Sequence, residues 1–476
     1  MTKRFDIRQH TAPALADGPP VPIPSPAPVD LKLRSRQAIL HGSVLLTMLK
    51  LAWPTILVLL AQIFVGVAET FYVSYLGTEA LAGVALVFPI VMLMTMMSNG
   101  AIGGGVASAV ARAIGSGRRT DADALVLHTI VIAAVFGLLF TAVLLLFGRV
   151  IYGALGGTGV VLDAALTYSS FVFAGAVPAW IVNLLAATLR GAGNVKVPAL
   201  VTLISAAVLV VLSPALIFGF GPVPRLGIAG AGTAVSAFNV VTAIVLLRYL
   251  RSGHSVPALR KARLERRLFA DVLRVGLLSA VGTTQFNVTV LLVTGAVGLF
   301  GANALAGFGI ASRLDYVLIP LLFGLGTAVV TMVGTNVGAG AMARARRIAW
   351  TGALLAALVT EAIGGFVAFF PKIWLGLFTN DADVLAAGAT YLHIVGPSYG
   401  AIGLGLLLYF ASQGAGRVLW PVLGGTARLV IAAVFGWTAV AWLGFDQSGL
   451  FALVSFGALA FAMISAAAVL LRGWER

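Results

Sequence analysis

LAWPTILVLLAQIFVGVAETFYVSYL, residues Leu51 to Leu76, is the stretch whose reading decides the rest of the chain: an apolar run broken by a single acid, Glu69. At a rise of ~1.5 Å per residue, a helix of this length crosses a hydrocarbon core about 30 Å thick with some tilt. Glu69 then lies roughly 10 Å from the Leu76 end. A carboxylate at that depth costs several kcal/mol unless water, a proton, an ion or a partner side chain meets it. The stretch also occurs a second time. Leu81-Ala82-Gly83 behind it is matched by Leu305-Ala306-Gly307, which sets Lys50 against Arg274, Thr70 against Thr294 and Glu69 against Val293. Because the copies share a frame and differ at the acid, the frame reads as architecture and the acid as function.

Composition sets the class. With 60% hydrophobic residues, 10% charged residues and a mean hydropathy of +1.04, the chain has too little polar surface to fold in water, and it reads as an all-α polytopic membrane protein in a lipid bilayer. The formal net charge of +15 does not point to nucleic acid, because the basic residues sit in short connections between apolar runs, not on one face or tail. The absence of cysteine excludes disulfides and thiolate metal sites. The histidines form no ligand-spaced cluster, so no metal or other cofactor is expected, and His128 and His393 read as core or interfacial residues.

In chain order, residues 1–44 carry the string PPVPIPSPAP without an apolar h-region and read as a disordered cytoplasmic tail. Lys32, Arg34 and Arg36 precede the first span and place the N-terminus in the cytoplasm by the positive-inside bias. Five further apolar runs complete a first bundle over residues 45–250, and six more make a second over 271–476. Between them lies RSGHSVPALRKARLERRLFAD, a basic linker over 251–270 that an even number of spans returns to the cytoplasm. The other connections on that side hold Arg118, Arg119, Arg190, Lys196, Arg344, Arg346, Arg347 and Arg417, against mainly Arg149, Arg225 and Lys372 on the opposite side. About twelve transmembrane helices with both termini cytoplasmic, in the inner or plasma membrane, account for this asymmetry.

The repeat continues through both bundles at a spacing near ~224 residues: Gly115-Ser116-Gly117 with Gly338-Ala339-Gly340, Tyr168 with Tyr391, Arg190-Gly-Ala-Gly193 with Gln413-Gly-Ala-Gly416, and Pro198 with Pro421. Two six-helix units in parallel orientation are related by a pseudo-two-fold axis along the membrane normal, and the cavity between them is the expected substrate site. The glycines beginning at Gly191 and Gly414 fall where a span meets a short turn, where positive φ and close backbone approach favour glycine. RGAGNVK lacks the strand and the Lys-Ser/Thr that a phosphate-cradling loop needs, so ATP is not the energy source.

Four strings closely resemble the multidrug and toxic compound extrusion (MATE) family: LRGAGNVKVP at Leu189–Pro198, LSPALIFGFGPVPRLGIAGAG at Leu212–Gly232, VGTNVGAG at Val333–Gly340, and IVGPSYGAIGLGLLLYFASQGAGR at Ile394–Arg417. The resemblance runs from about Lys50 to the C-terminus. It implies a cation-coupled antiporter that exports large, often cationic, organic compounds by alternating access, acting as a monomer and not as an enzyme. A lipid-linked oligosaccharide flippase of similar architecture is the alternative, though it would want several basic residues in its cavity for pyrophosphate, where Arg313 and Arg428 are on offer.

The resemblance further implies a first-bundle cation site made of an acid on helix 1 with an Asn and an Asp on helix 5. By the motif match Glu69 stands at the acid, Ser213 at the Asp of the usual Leu-Asp-Pro, and Leu209 at the Asn. One Glu with one Ser offers few oxygens to a dehydrated Na⁺, whereas a lone carboxyl in low dielectric suits reversible protonation. The expected coupling ion is therefore H⁺, with Na⁺ as the alternative.

In the second bundle Asp315 and Arg428 each lie ~15 Å from a membrane face and are expected to form a structural ion pair, with Arg313 nearby. Asp315 is also a candidate second coupling site. Glu361 reads as a packing or snorkelling residue. Substrate contacts are expected from Met92 and Met96 on the Met-rich second helix and from the rings of Tyr168, Tyr391 and Tyr399.

Overall fold

The computed structural model describes residues 31–221, 224–253, 255–471 and 474. Every regular element among them is helical. Among the described residues eleven helices are long and apolar enough to cross a membrane, and a bent pair, taken as one span, completes twelve. In chain order the spans are α1 (Val44–Ser74), α2 (Thr78–Gly115), α3 (Arg119–Ala154), α4 (Gly159–Ala174 with Ala176–Gly191), α5 (Lys196–Phe218), α6 (Ile228–Arg251), α7 (Arg266–Gly298), α8 (Ala302–Gly338), α9 (Met342–Phe369), α10 (Ala382–Ala415), α11 (Leu419–Leu443) and α12 (Gln447–Leu470). The protein is thus a multi-pass membrane protein of two six-helix halves. Residues 1–30 of the expected tail lie outside the described residues. From Leu31 to His41 the segment assigned to that tail is instead a helix.

The duplication survives in the irregularities. In α4 the chain bends by 49° at Gly175, and α10 carries a short 3-10 turn, Gly396–Ser398, at the matching place in the repeat. Within α2 the segment Met96–Ile102 winds as a π-helix, and α8 has Pro320 where the frame would put Met96. Such turns free backbone groups that a regular helix would pair, and they cluster where a span lines a cavity.

The lead helices are exchanged between the halves. Met48, Leu51 and Ala52 of α1 belong to the apolar core of the second half, and Leu268 and Val272 of α7 belong to that of the first. Each lead helix also packs on its own half, α1 along α5 and α7 along α11. Each half's core is therefore completed by the other half's first helix. The basic linker is docked and does not hang free. Asp123 accepts from Ala258 N at 2.8 Å, Arg267 meets Asp121 at 3.0 Å, and His128, fully buried, accepts from Glu265 N at 2.8 Å while its other ring nitrogen lies 2.8 Å from Ala124 O. His128 is a structural residue.

One end of the interface between the halves is sealed by the repeat itself. A Cβ on Gly115 of α2 would lie 2.1 Å from Thr335 O, and one on its repeat mate Gly338 of α8 would lie 2.2 Å from Arg112 O. No side chain fits there, so each helix crosses the other backbone to backbone around the pseudo-two-fold axis. Polar contacts close the same end. Arg112 pairs with Asp271 at 2.6 Å, and Ser108 donates to Gly414 O at 3.0 Å. The N-terminal helix lies beneath, with Arg36 donating to Gly115 O at 2.9 Å and Arg344 to Gly42 O.

Candidate functional site

Glu69 sits on α1 with its Oε1 buried and without a hydrogen-bond partner. Thr70, the neighbour best placed to satisfy it, donates to Gly66 O at 2.8 Å one turn back, as a threonine within a helix commonly does. Ser213 on α5 is fully buried, and its hydroxyl is likewise unpartnered. Leu209, one turn earlier, is buried in an apolar groove between α5 and α6. The side chain that does reach Glu69 electrostatically is Tyr168 on α4.

The second half has a related arrangement on different helices. Asp315 on α8 lies in electrostatic range of Tyr391 and Tyr399 of α10 and of Arg428 of α11. These groups approach without closing on one another. The Tyr399 hydroxyl and Arg428 Nε are buried without a hydrogen-bond partner, and among the described residues no carboxylate lies within 4.0 Å of Arg428. The Arg428 guanidinium instead sits 4.8 Å from the centre of the Phe286 ring. Asp315 and Arg428 therefore interact at longer range than the contact pair expected from sequence. Arg313 is no part of this cluster: it is exposed, 5.6 Å over the Phe378 ring. Glu361 accepts from Gly400 N at 2.8 Å and packs α9 on α10, the bland role expected for it.

The cavity lies between α2 and the second half. Its outer chamber, about 110 Å³, is walled by Met96, Phe286, Phe323, Tyr409 and Phe410, with Arg428 on one side. Gly100, Phe323 and Phe410 also line a smaller space of about 20 Å³ beneath it, bounded by Thr55, Asn99, Arg190, Thr327 and Gln413. Met96 lines the outer chamber. Met92 is 40% exposed and lines neither space. Tyr168, Tyr391 and Tyr399 are buried inside their own halves, at 8%, 5% and 1% exposure, and face the acids instead of the cavity. A helical position alone does not say which face a ring takes. The residues that sequence reasoning passed over are Arg190, Gln413 and Tyr409. Arg190 and Gln413 carried a signal, since they are unlike residues at matched repeat positions, as Glu69 and Val293 are.

Twelve spans in two parallel halves around a cavity, with Glu69 buried in one half and Asp315 in the other, define a membrane transporter. The MatE family model matches residues 54–215 and again 279–438, one match per half, and the chain belongs to that family of multidrug and toxic compound extrusion transporters. Among curated relatives it is 27% identical to the FAD transporter of Shewanella oneidensis, over 84% of this chain and 88% of that one. It is 26% identical to the probable multidrug resistance protein NorM of Thermotoga maritima, over 81% and 84%. Among solved structures, the fold matches a MOP superfamily transporter from Pyrococcus furiosus with a TM-score of 0.83 at 22% identity, covering 93% of this chain and 99% of that one. A structure described as the outward-facing conformation of a MATE family transporter matches with a TM-score of 0.81 at 23% identity, over 91% and 97%.

Proposed function

We propose that the protein is a secondary active exporter that exchanges an organic solute for protons across the inner or plasma membrane. It acts as a monomer with both termini cytoplasmic, and the coupling proton is carried by Glu69. The observation that carries this reading is the state of the first-half site: a buried carboxyl oxygen without a partner, with a fully buried Ser213 in place of a second acid. Such a donor set is too poor to replace the shell of a dehydrated Na⁺, but one carboxyl suffices to take up and release a proton. The relatives' names, an FAD transporter and a probable multidrug resistance protein, support an organic cargo. On this reading the sealed end, rich in Arg112, Arg344 and the linker cations, faces the cytoplasm, and rocking of the halves about the cavity gives alternating access.

The test is efflux from proteoliposomes under separately imposed gradients. An acidic outer face protonates Glu69 from outside and drives export; the rate falls as outer pH rises to equal the inner. Export driven by an inward Na⁺ gradient with both pH values clamped equal would overturn proton coupling and turn attention to Asp315.

A further inference from the structure

We infer that the cavity floor is an anion-binding site, and that the exported solute carries a phosphate or carboxylate on a planar apolar body. This rests on the export reading for its direction but not for its chemistry. The sequence resemblance implies cationic cargo, for which a cavity should present acids. This cavity presents arginines instead. The charged side chains that line its two chambers are Arg428 and Arg190, and among the described residues no Asp or Glu lines either one.

Arg190 is the centre of the site. Its guanidinium donates to Asn99 Oδ1 at 2.7 Å, a neutral acceptor, and no carboxylate among the described residues lies within the 4.0 Å of an ion pair. Buried cations are ordinarily paired, so one held only by an amide leaves an interaction open to a ligand. A guanidinium is also the side chain whose planar fork fits two oxygens of a phosphate or carboxylate. Thr55 and Thr327 add hydroxyls around the same floor. Gln413, fully buried, donates through Nε2 to Gly100 O at 3.1 Å and Ser279 Oγ at 2.9 Å, so its donors are spent within the protein and the anion's donors come from Arg190.

Above the floor the walls suit an aromatic body. Phe286, Phe323, Tyr409 and Phe410 line the outer chamber, and Arg428 stands at its side over Phe286. The head of an anionic solute would reach down to Arg190 while its ring lies against these side chains. The repeat supports this division. Arg190 and Gln413 occupy matched positions, so the frame alone does not require a cation there, and the first half has one.

Binding to the detergent-solubilised full chain separates this inference from the export reading. The probes are two pairs that share a ring system and differ in charge: flavin mononucleotide against riboflavin for phosphate, and fluorescein against rhodamine 6G for carboxylate. The expected result is at least tenfold tighter binding of the anionic member of one or both pairs, and the arm that shows it names the head group. Arg190→Gln, which installs the residue of the matched position, should remove that preference, and Arg190→Lys should keep most of it. An unchanged anion preference in Arg190→Gln, no preference for the anionic member in either pair, or no binding of any probe to wild-type protein overturns the inference. Arg190-dependent anion binding without gradient-driven efflux in proteoliposomes would leave the anion site standing and remove the export reading alone.

Discussion

In the first half the acid near the repeated tyrosine is Glu69 on α1, in range of Tyr168; in the second it is Asp315 on α8, in range of Tyr391. The tyrosines are repeat mates, but the acids are not, since Val293 stands opposite Glu69. A duplicated frame has thus kept one partner and reached the other from a different helix. The surroundings differ as well. Glu69 has an unpartnered oxygen and an unpartnered Ser213 in the same half, while Asp315 shares its site with Tyr399 and the cation of Arg428. Protonating Glu69 changes the charge of its half outright. Protonating Asp315 leaves behind a buried guanidinium, which costs free energy of its own. Under the function proposed above, exchange falls to the isolated acid and packing to the compensated one.

The largest expected effect follows from that assignment. Glu69→Gln keeps size and hydrogen-bonding capacity but cannot change charge, so proton-driven efflux should fall to background, a loss of at least ~10-fold set by the removal of an essential titrating group. Asp315→Asn should retain gradient-driven efflux when both variants are assayed in the same proteoliposomes. Equal loss in the two would erase the distinction between the halves.

Stability should run the other way. Asp315→Asn or Arg428→Met alone strands part of a coupled buried cluster and should cost roughly 2 kcal/mol, below the 3–5 typical of a contact pair because these groups stop short of contact. The double variant should cost less than the sum, with a coupling of about 1 kcal/mol in a double-mutant cycle on thermal unfolding in detergent. Additive losses would show that Arg428 does not compensate Asp315.

A smaller effect tests the frame that the halves share. Gly115→Ala and Gly338→Ala each push a Cβ against a backbone oxygen of the facing half, so each should cost about 1–3 kcal/mol of overpacking in the sealed state. Because that cost falls on this conformation alone, both should also raise labelling of a cysteine placed at Thr327, which lines the inner space behind the seal. If one variant does this and the other does not, the crossing of α2 and α8 is not the symmetric contact described here.

The spans, the repeat and the lone acid were legible in the sequence because each is a one-dimensional signal: a run of apolar residues, a fixed offset, a polar residue where none is cheap. The close approach at Gly191 and Gly414 was legible too, and a Cβ on either would lie within 2.4 or 2.6 Å of a backbone oxygen, that of Ala107 or Val330. What escaped depended on the facing of a helix. Tyr399 and Tyr409 lie on the same span, yet Tyr399 turns inward to Asp315 while Tyr409 lines the cavity. The exchange of α1 and α7 between cores is equally silent, since apolar residues that bury in either half look alike. Arg190 was visible but was read as one residue of a glycine-rich turn, because the motif drew attention to its backbone.

The last and smallest expected effect asks whether the first half can be moved toward the donor set that the family's resemblance implies. Ser213 is fully buried on α5, which packs along α1, so Ser213→Asp adds a second carboxylate to the half that holds Glu69. Two acids repel, and that repulsion favours either sharing a proton or holding a cation. With inner and outer pH clamped equal, an inward Na⁺ gradient should then drive efflux a few-fold above the wild-type level, by supplying the charged oxygens that a hard cation needs. Adding Leu209→Asn should contribute little, because Leu209 lines the apolar groove between α5 and α6, where an amide costs about 1–3 kcal/mol unless it is paired. If Na⁺ drives export in the wild type as strongly as in Ser213→Asp, the poverty of the first-half site does not determine the coupling ion. If instead Leu209→Asn alone confers sodium dependence, the site extends across α5 toward α6.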